Sequence, residues 1–154
     1  MQQAAPGSLE IKVPAPSEPD AAVYNSFIEA VQLTGIELVK VQGERIASGM
    51  AAQTRFDLTA GYMINGDSIQ YRYDVTAHLL DDAGTAIGNV SSSVIVVASG
   101  VPTADKACIE HFGGTSGALM VHPYLREAIA STAQRLGFPG VLLPMIKYNL
   151  KTQQ

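Results

Sequence analysis

At 154 residues the chain is about one domain's worth, a size that typically buries roughly 70% of its unfolded surface. Only 16% of the residues are charged, against the roughly 25% usual for soluble domains, and 47% are apolar, so a partner or another copy is expected to cover part of the surface. The net charge is -4 and neither end carries a Lys/Arg run, which argues against nucleic acid as a partner.

Prolines crowd the first twenty residues (Pro6, Pro14, Pro16, Pro19) and then stay away until Pro102. The opening segment shows little apolar periodicity and reads as a flexible tail over residues 1–20, ahead of a single domain over 21–154. After Asp20, a competent cap, Val23, Tyr24, Phe27, Ile28 and Val31 recur at helical spacing and predict a short amphipathic helix. The proline-free stretch reads as strands, because proline removes a ladder donor. Leu33 to Val41 changes phase between Leu38 and Val39, which predicts a bulge. Phe56, Leu58, Ala60, Tyr62 and Ile64 alternate with polar or small residues. So do Ile69, Tyr71, Tyr73, Val75, Ala77 and Leu79, more strictly. Asn65-Gly66 joins these two runs and predicts a type I′ turn, with positive φ at both residues. Asp82-Ala83-Gly84 turns the chain into a further strand from Ala86 to Ala98.

Helix follows. Thr103 can cap a turn carrying Ala104, Ala107, Cys108 and Phe112 on one side, with Gly113-Gly114 as its stop. A run from Gly117 to Leu136 places Leu125, Ala128, Ile129, Thr132, Ala133 and Leu136 on one face. Pro123 either kinks this run or occupies its first helical position, and Gly137 ends it as a left-handed cap. Phe138 to Pro144 is apolar but too rich in Pro and Gly to be helical. The fold expected is α+β: a four-stranded antiparallel sheet with a long C-terminal helix packed on one face. A single helix about 10 Å wide cannot cover even one face of four strands. The remainder must meet another subunit or hold something apolar.

Catalytic chemistry finds little support. His78, His111 and His122 lack zinc-site spacing, and His78 lies on the polar side of its strand, where it is expected to be solvated. Cys108 and His111 stand at i, i+3 but have no orienting third group, so a small buried thiol is the better reading. One cysteine excludes an internal disulfide and a thiolate zinc cluster. Ser91-Ser92-Ser93 is not a nucleophile elbow; it reads as a small-residue strand that another layer approaches closely. Asp81 and Asp82 fall short of a calcium loop. Arg126 and Glu127 are expected to form ion pairs on the outer face of the helix. The apolar runs Val94 to Ala98 and Val141 to Leu143 are far below the roughly 20 residues of a membrane span. No basic-then-apolar leader opens the chain, which points to the cytoplasm. The chain is read as not an enzyme and not membrane-embedded.

One segment is more specific. His122-Pro123-Tyr124-Leu125-Arg126-Glu127, then Arg135, then Phe138-Pro139-Gly140-Val141-Leu142-Leu143-Pro144, resembles the SecB family of export chaperones. Pro123, Tyr124, Arg126, Glu127, Pro139 and Pro144 carry that motif, and Phe56-Asp57-Leu58 and Arg72 to Ala77 look like the family's second and third strands. The resemblance covers roughly residues 31 to 148. It implies a dimer of dimers that works without cofactor or ATP as a holdase, wrapping unfolded or precursor polypeptides along apolar grooves. It places Phe56 and Leu58 on the client-facing strand, Ile129 on the helix face, and Phe138, Leu142 and Leu143 on the loop after the helix. Each of these could equally be core.

Two departures from the family bear on partners. The chain lacks the second helix and acidic tail that touch the SecA motor, ending in Lys147-Tyr148-Asn149-Leu150-Lys151-Thr152-Gln153-Gln154. Alignment puts Lys40 and Gly88 at two places where the family has acids facing SecA, with only Glu44 keeping the charge. Electrostatic complementarity carries much of such docking, so SecA stays an open partner. The alternatives are a dedicated chaperone for an antitoxin and a structural or small-ligand-binding oligomer of the same fold.

Overall fold

A computed structural model describes residues 11–12, 18–100 and 105–144. Its centre is a pair of strands, β4 (Ser68–Leu80) and β5 (Ala86–Ser99), paired antiparallel so that Tyr71, Tyr73 and Val75 face Val96, Val94 and Ser92. Strict alternation on β4 sends Ile69, Tyr71, Tyr73, Val75, Ala77 and Leu79 to one side, where all six are at most 2% exposed. β3 (Gln53–Asn65) lies antiparallel to β4, and β2 (Gln32–Arg45) antiparallel to β5. The four-stranded antiparallel sheet and the long C-terminal helix are therefore both present. A fifth strand joins them: β1 (Ile11–Lys12) pairs in parallel with Leu58–Thr59, giving the order β1-β3-β4-β5-β2. The tail expected over residues 1–20 thus contributes two residues to the sheet, and most of the rest lies outside the described residues.

α1 (Ala21–Ala30) begins where Asp20 accepts from the backbone N–H groups of Ala22 and Val23. Its buried Phe27 meets Phe112 at 5.6 Å between centroids, and Tyr24 stands edge-on to His111 at 4.7 Å. The register of β2 slips between Leu38 and Lys40, as the phase change predicts, and again between Leu33 and Gly35. The β3–β4 turn differs by one residue from the expectation. Asn65 pairs with Ser68, so the two turn residues are Gly66 and Asp67, and only Gly66 has positive φ, +64°. That pattern belongs to type II′, which needs glycine at the first central position alone. Asp81 Oδ1 holds the following turn by accepting from Ala83 and Thr85 N–H, with Gly84 at φ +83°.

The largest difference lies in the helices. α2 (Lys106–Phe112) is capped by Asp105, while Thr103 and Ala104 lie outside the described residues. Gly113-Gly114 does not stop it. The chain continues through a π-helical turn, Gly113–Gly117, into α3 (Ala118–Arg135). These glycines answer close packing rather than termination. A Cβ on Gly113 would stand 2.6 Å from Tyr71 Cε1, and one on Gly117 2.5 Å from the Tyr73 hydroxyl. Tyr73 also donates to Gly113 O at 2.6 Å, and Tyr71 to Ile109 O at 2.8 Å. A side chain at either glycine would push the helix off the sheet.

Pro123 sits inside α3, on its exposed side, rather than at its first turn. Leu125, Ala128, Ile129 and Ala133 are buried against the sheet, and Leu136 packs beside them. Gly137, at φ +87°, ends the helix as expected: its N–H reaches Gln134 O, and Phe138 N–H reaches Ala133 O. Those two bonds make a Schellman motif. Phe138 to Pro144 is not helical.

Candidate functional site

α3 lies over β5 and, at its C-terminal end, over β2, where a Cβ on Gly43 would meet Leu136 and Thr132 side chains at 2.8 Å. Elsewhere the helix-facing side of β2 is largely open, with Ile36 half-buried against the core. Leu33, Leu38 and Val41 stand opposite Ala98, Val94 and Ser92, on the same side as the core, yet are 44%, 49% and 45% exposed. The other edge repeats the pattern more mildly. Phe56, Ala60 and Tyr62 of β3 are half-buried beside the core, and Ile64 is exposed. A shallow, open depression lies between β3 and the π turn, lined by Ala60, Gly61, Tyr62, Tyr71, Tyr73, Glu110 and Gly113.

The pocket's polar groups are largely spoken for. Tyr62 donates to Glu110 Oε2 at 3.0 Å, and Lys106 Nζ lies 3.9 Å from the same oxygen. Burial, then the bond to the Glu110 carboxylate and its charge, raises the Tyr62 pKa. Burial also raises that of Tyr71, so both phenols stay protonated. The wall is aromatic and apolar at its surface. It suits contact with apolar groups better than proton transfer.

Of the six residues expected to meet a client, Leu58, Ile129, Phe138 and Leu143 are at most 1% exposed and shape the surface from beneath. Phe56 is half-buried, and Leu142 is 56% exposed. The motif residues Pro123, Tyr124, Glu127 and Pro139 are exposed, while Arg126 and Pro144 are half-buried. Among the described residues Arg126 and Glu127 form no ion pair, contrary to expectation; instead Arg126 Nε is buried without a partner. His122, one turn back, is 7% exposed with both ring nitrogens unpartnered. Burial, then the Arg126 charge, lowers its pKa and keeps the ring neutral.

The remaining candidates turn out structural. Cys108 is buried, which raises its pKa with a smaller push from Asp105, so the thiol is held unreactive. His78 is not simply solvated, since its Nε2 lies 2.9 Å from Asp57 Oδ2. Ser93 is buried and donates to Asp74, which also pairs with Arg72 at 3.0 Å. Lys40 and Glu44 pair with Ser93 and Asn89, on the polar side of the sheet. Gly88 does not share that side: its register partner is Leu79, and a Cβ there would stand 2.7 Å from the Phe138 ring. It is therefore no counterpart of a solvent-facing acid. Among the described residues no three His, Cys, Asp or Glu gather as a metal site. Among them, too, no helix is long and apolar enough to cross a membrane.

Sequence reasoning overlooked Arg45. Its guanidinium donates to the carbonyls of Leu136 (2.9 Å), Gly137, Ala47 and Gly49, and its Cζ lies 4.1 Å above the Phe138 ring. Arg45 thus ties the end of α3 and the following loop to β2. Its partners on the α3 side, Leu136 and Gly137, are 91 and 92 residues away, and nothing local in the sequence signals them.

No protein-family model and no curated protein sequence matches the chain. Among solved structures it is similar to the SecB-like chaperone Rv1957 of Mycobacterium tuberculosis, solved in complex with a ChAD peptide from the antitoxin Rv1956 HigA1. The TM-score is 0.68 at 15% sequence identity, covering 83% of this chain and 99% of the other. The fold is SecB-like.

Proposed function

Taking the SecB-like fold as premise, we propose that the chain is a cytoplasmic, ATP-independent holdase that binds unfolded or precursor polypeptides and keeps them soluble, serving export. It works as a homo-oligomer, a dimer of dimers, whose contacts use the exposed apolar side of β2 and the outer face of α3 around Leu119 and Tyr124. The observation that carries this reading is the apolar surface left beside the helix cover, with Leu33, Leu38 and Val41 at one edge and Phe56, Tyr62 and Ile64 at the other. Burying such surface is worth roughly 25 cal/mol per Å² and is non-directional, so the β2 edge suits a second copy and the β3 edge suits unfolded chains of many sequences. Phe56 and Leu142 are the residues of the expected set that touch the client. The purified protein should suppress aggregation of a chemically unfolded client at near-stoichiometric ratio. No suppression over a range of ratios contradicts the reading.

A second reading, a dedicated antitoxin chaperone, draws support from the antitoxin peptide bound to the similar structure. A toxin–antitoxin gene pair beside this gene favours it. Functional replacement of SecB in export, with no such pair nearby, removes it.

A further inference from the structure

The outer edge of β3 carries the only parallel pairing among the described strands. Ile11 and Lys12 of β1 stand opposite Leu58 and Thr59, and the ladder ends there, although β3 runs for 13 residues. Most of that edge presents backbone N–H and C=O groups that no described strand takes up. Such an edge is a template for a further strand. On the helix-facing side the same strand offers Phe56, Ala60 and Tyr62, and the pocket opens at Ala60–Tyr62. An extended polypeptide laid along this edge would gain main-chain hydrogen bonds and drop every second side chain onto that apolar wall. β1 itself shows that the edge accepts a strand, and one from elsewhere in the chain.

We propose that β1 is a built-in competitor: the chain's own N-terminal strand holds the β3 edge until an extended client segment displaces it and pairs in its place. The proposal rests on the holdase reading and adds where a client's backbone is taken up and what it must expel. The competing ladder is short and parallel, the slightly weaker kind, so a client offering a longer run outlasts it. Being tethered, it nevertheless competes at high effective concentration and lowers apparent affinity by the fraction of time it is seated. Selectivity follows, because a folded protein has no free strand to exchange for two residues of β1, whereas an unfolded one does.

The test locks and unlocks β1 in the full-length chain. Lys12→Cys with Thr59→Cys places two thiols on paired residues of adjacent strands, roughly 4.7–4.9 Å apart, within the usual Cα reach of a disulfide. The native Cys108 is buried and does not interfere. The probe is reduced, carboxymethylated lysozyme, which cannot refold. Oxidation should weaken its binding at least about tenfold and dithiothreitol should restore it, since a locked β1 sits mid-strand and splits the 13-residue edge, so that no long client run can pair along it. The full chain carrying Ile11→Pro and Lys12→Pro should bind about 2- to 10-fold more tightly, the worth of a net backbone hydrogen bond. Failure of the cross-link to form, equal binding oxidised and reduced, or no tightening in the proline variant overturns the competitor while the holdase stands. No binding by any form, the unaltered chain included, overturns both.

Discussion

β4 and β2 are nearly equal in length and both put apolar residues on the helix side of the sheet, yet their fates differ. On β4 those residues are closed off by a strand on each side and the helical layer above; on β2 they face outward over most of its length. The β2 side chains are no less apolar than those of β4. The difference comes from position, since a helix about 10 Å wide covers two strands at most. Alternation tells which residues share a side. Whether that side is core or contact surface depends on what lies above it.

Mutation can sharpen that contrast. Ile129→Ala, beneath α3, should cost about 2–5 kcal/mol in urea denaturation, the range for emptying a fully buried aliphatic site. Leu38→Ala on β2 should cost dilute protein within about 0.5 kcal/mol while weakening self-association. If both lose stability alike, β2 is covered within one chain and the contrast is false. Gly117→Ala should cost about 1–3 kcal/mol, less than Ile129→Ala, because the new methyl meets the Tyr73 hydroxyl. Adding Tyr73→Phe should recover part of that loss; strict additivity in a double-mutant cycle argues against the clash.

The smallest effect concerns pH. The His122 pKa is lowered in the folded chain from 6.5, so the unfolded chain takes up its proton first. Stability from this residue is therefore full above about pH 6.5 and falls as pH drops through that value toward the folded pKa. His122→Leu should show a flatter urea midpoint between about pH 7.5 and 5.5 than the unaltered chain. Equal slopes would mean that the ring is not desolvated as the structure shows.

How far the sequence carries this picture depends on the distance over which each cause acts. The β3–β4 hairpin and the bulge at Val39 are local, and alternation with its phase break exposes them. The turn was legible in place but not in type, because Asn65-Gly66 and Gly66-Asp67 differ by one register step and only the pairing of Asn65 with Ser68 decides. Gly113 looks like a helix stop until Tyr71, some forty residues earlier, is seen against it. Arg45 carries no pattern at all. For the surface, the same cues single out Phe56 and Leu142 and four residues that the core absorbs, Leu58, Ile129, Phe138 and Leu143. Alternation and the motif mark all six as apolar and on the right side, but the reach of α3 and the fold-back of Phe138 over Gly88 set which stay open.

The exposed apolar residues of β2 and β3 are expected to be covered by another copy and by client, and sedimentation velocity at micromolar concentration, with and without carboxymethylated lysozyme, tests this most directly. A discrete oligomer that gains mass stoichiometrically when the unfolded chain is added is the result expected. A single subunit whose sedimentation is unchanged by the unfolded chain would contradict it.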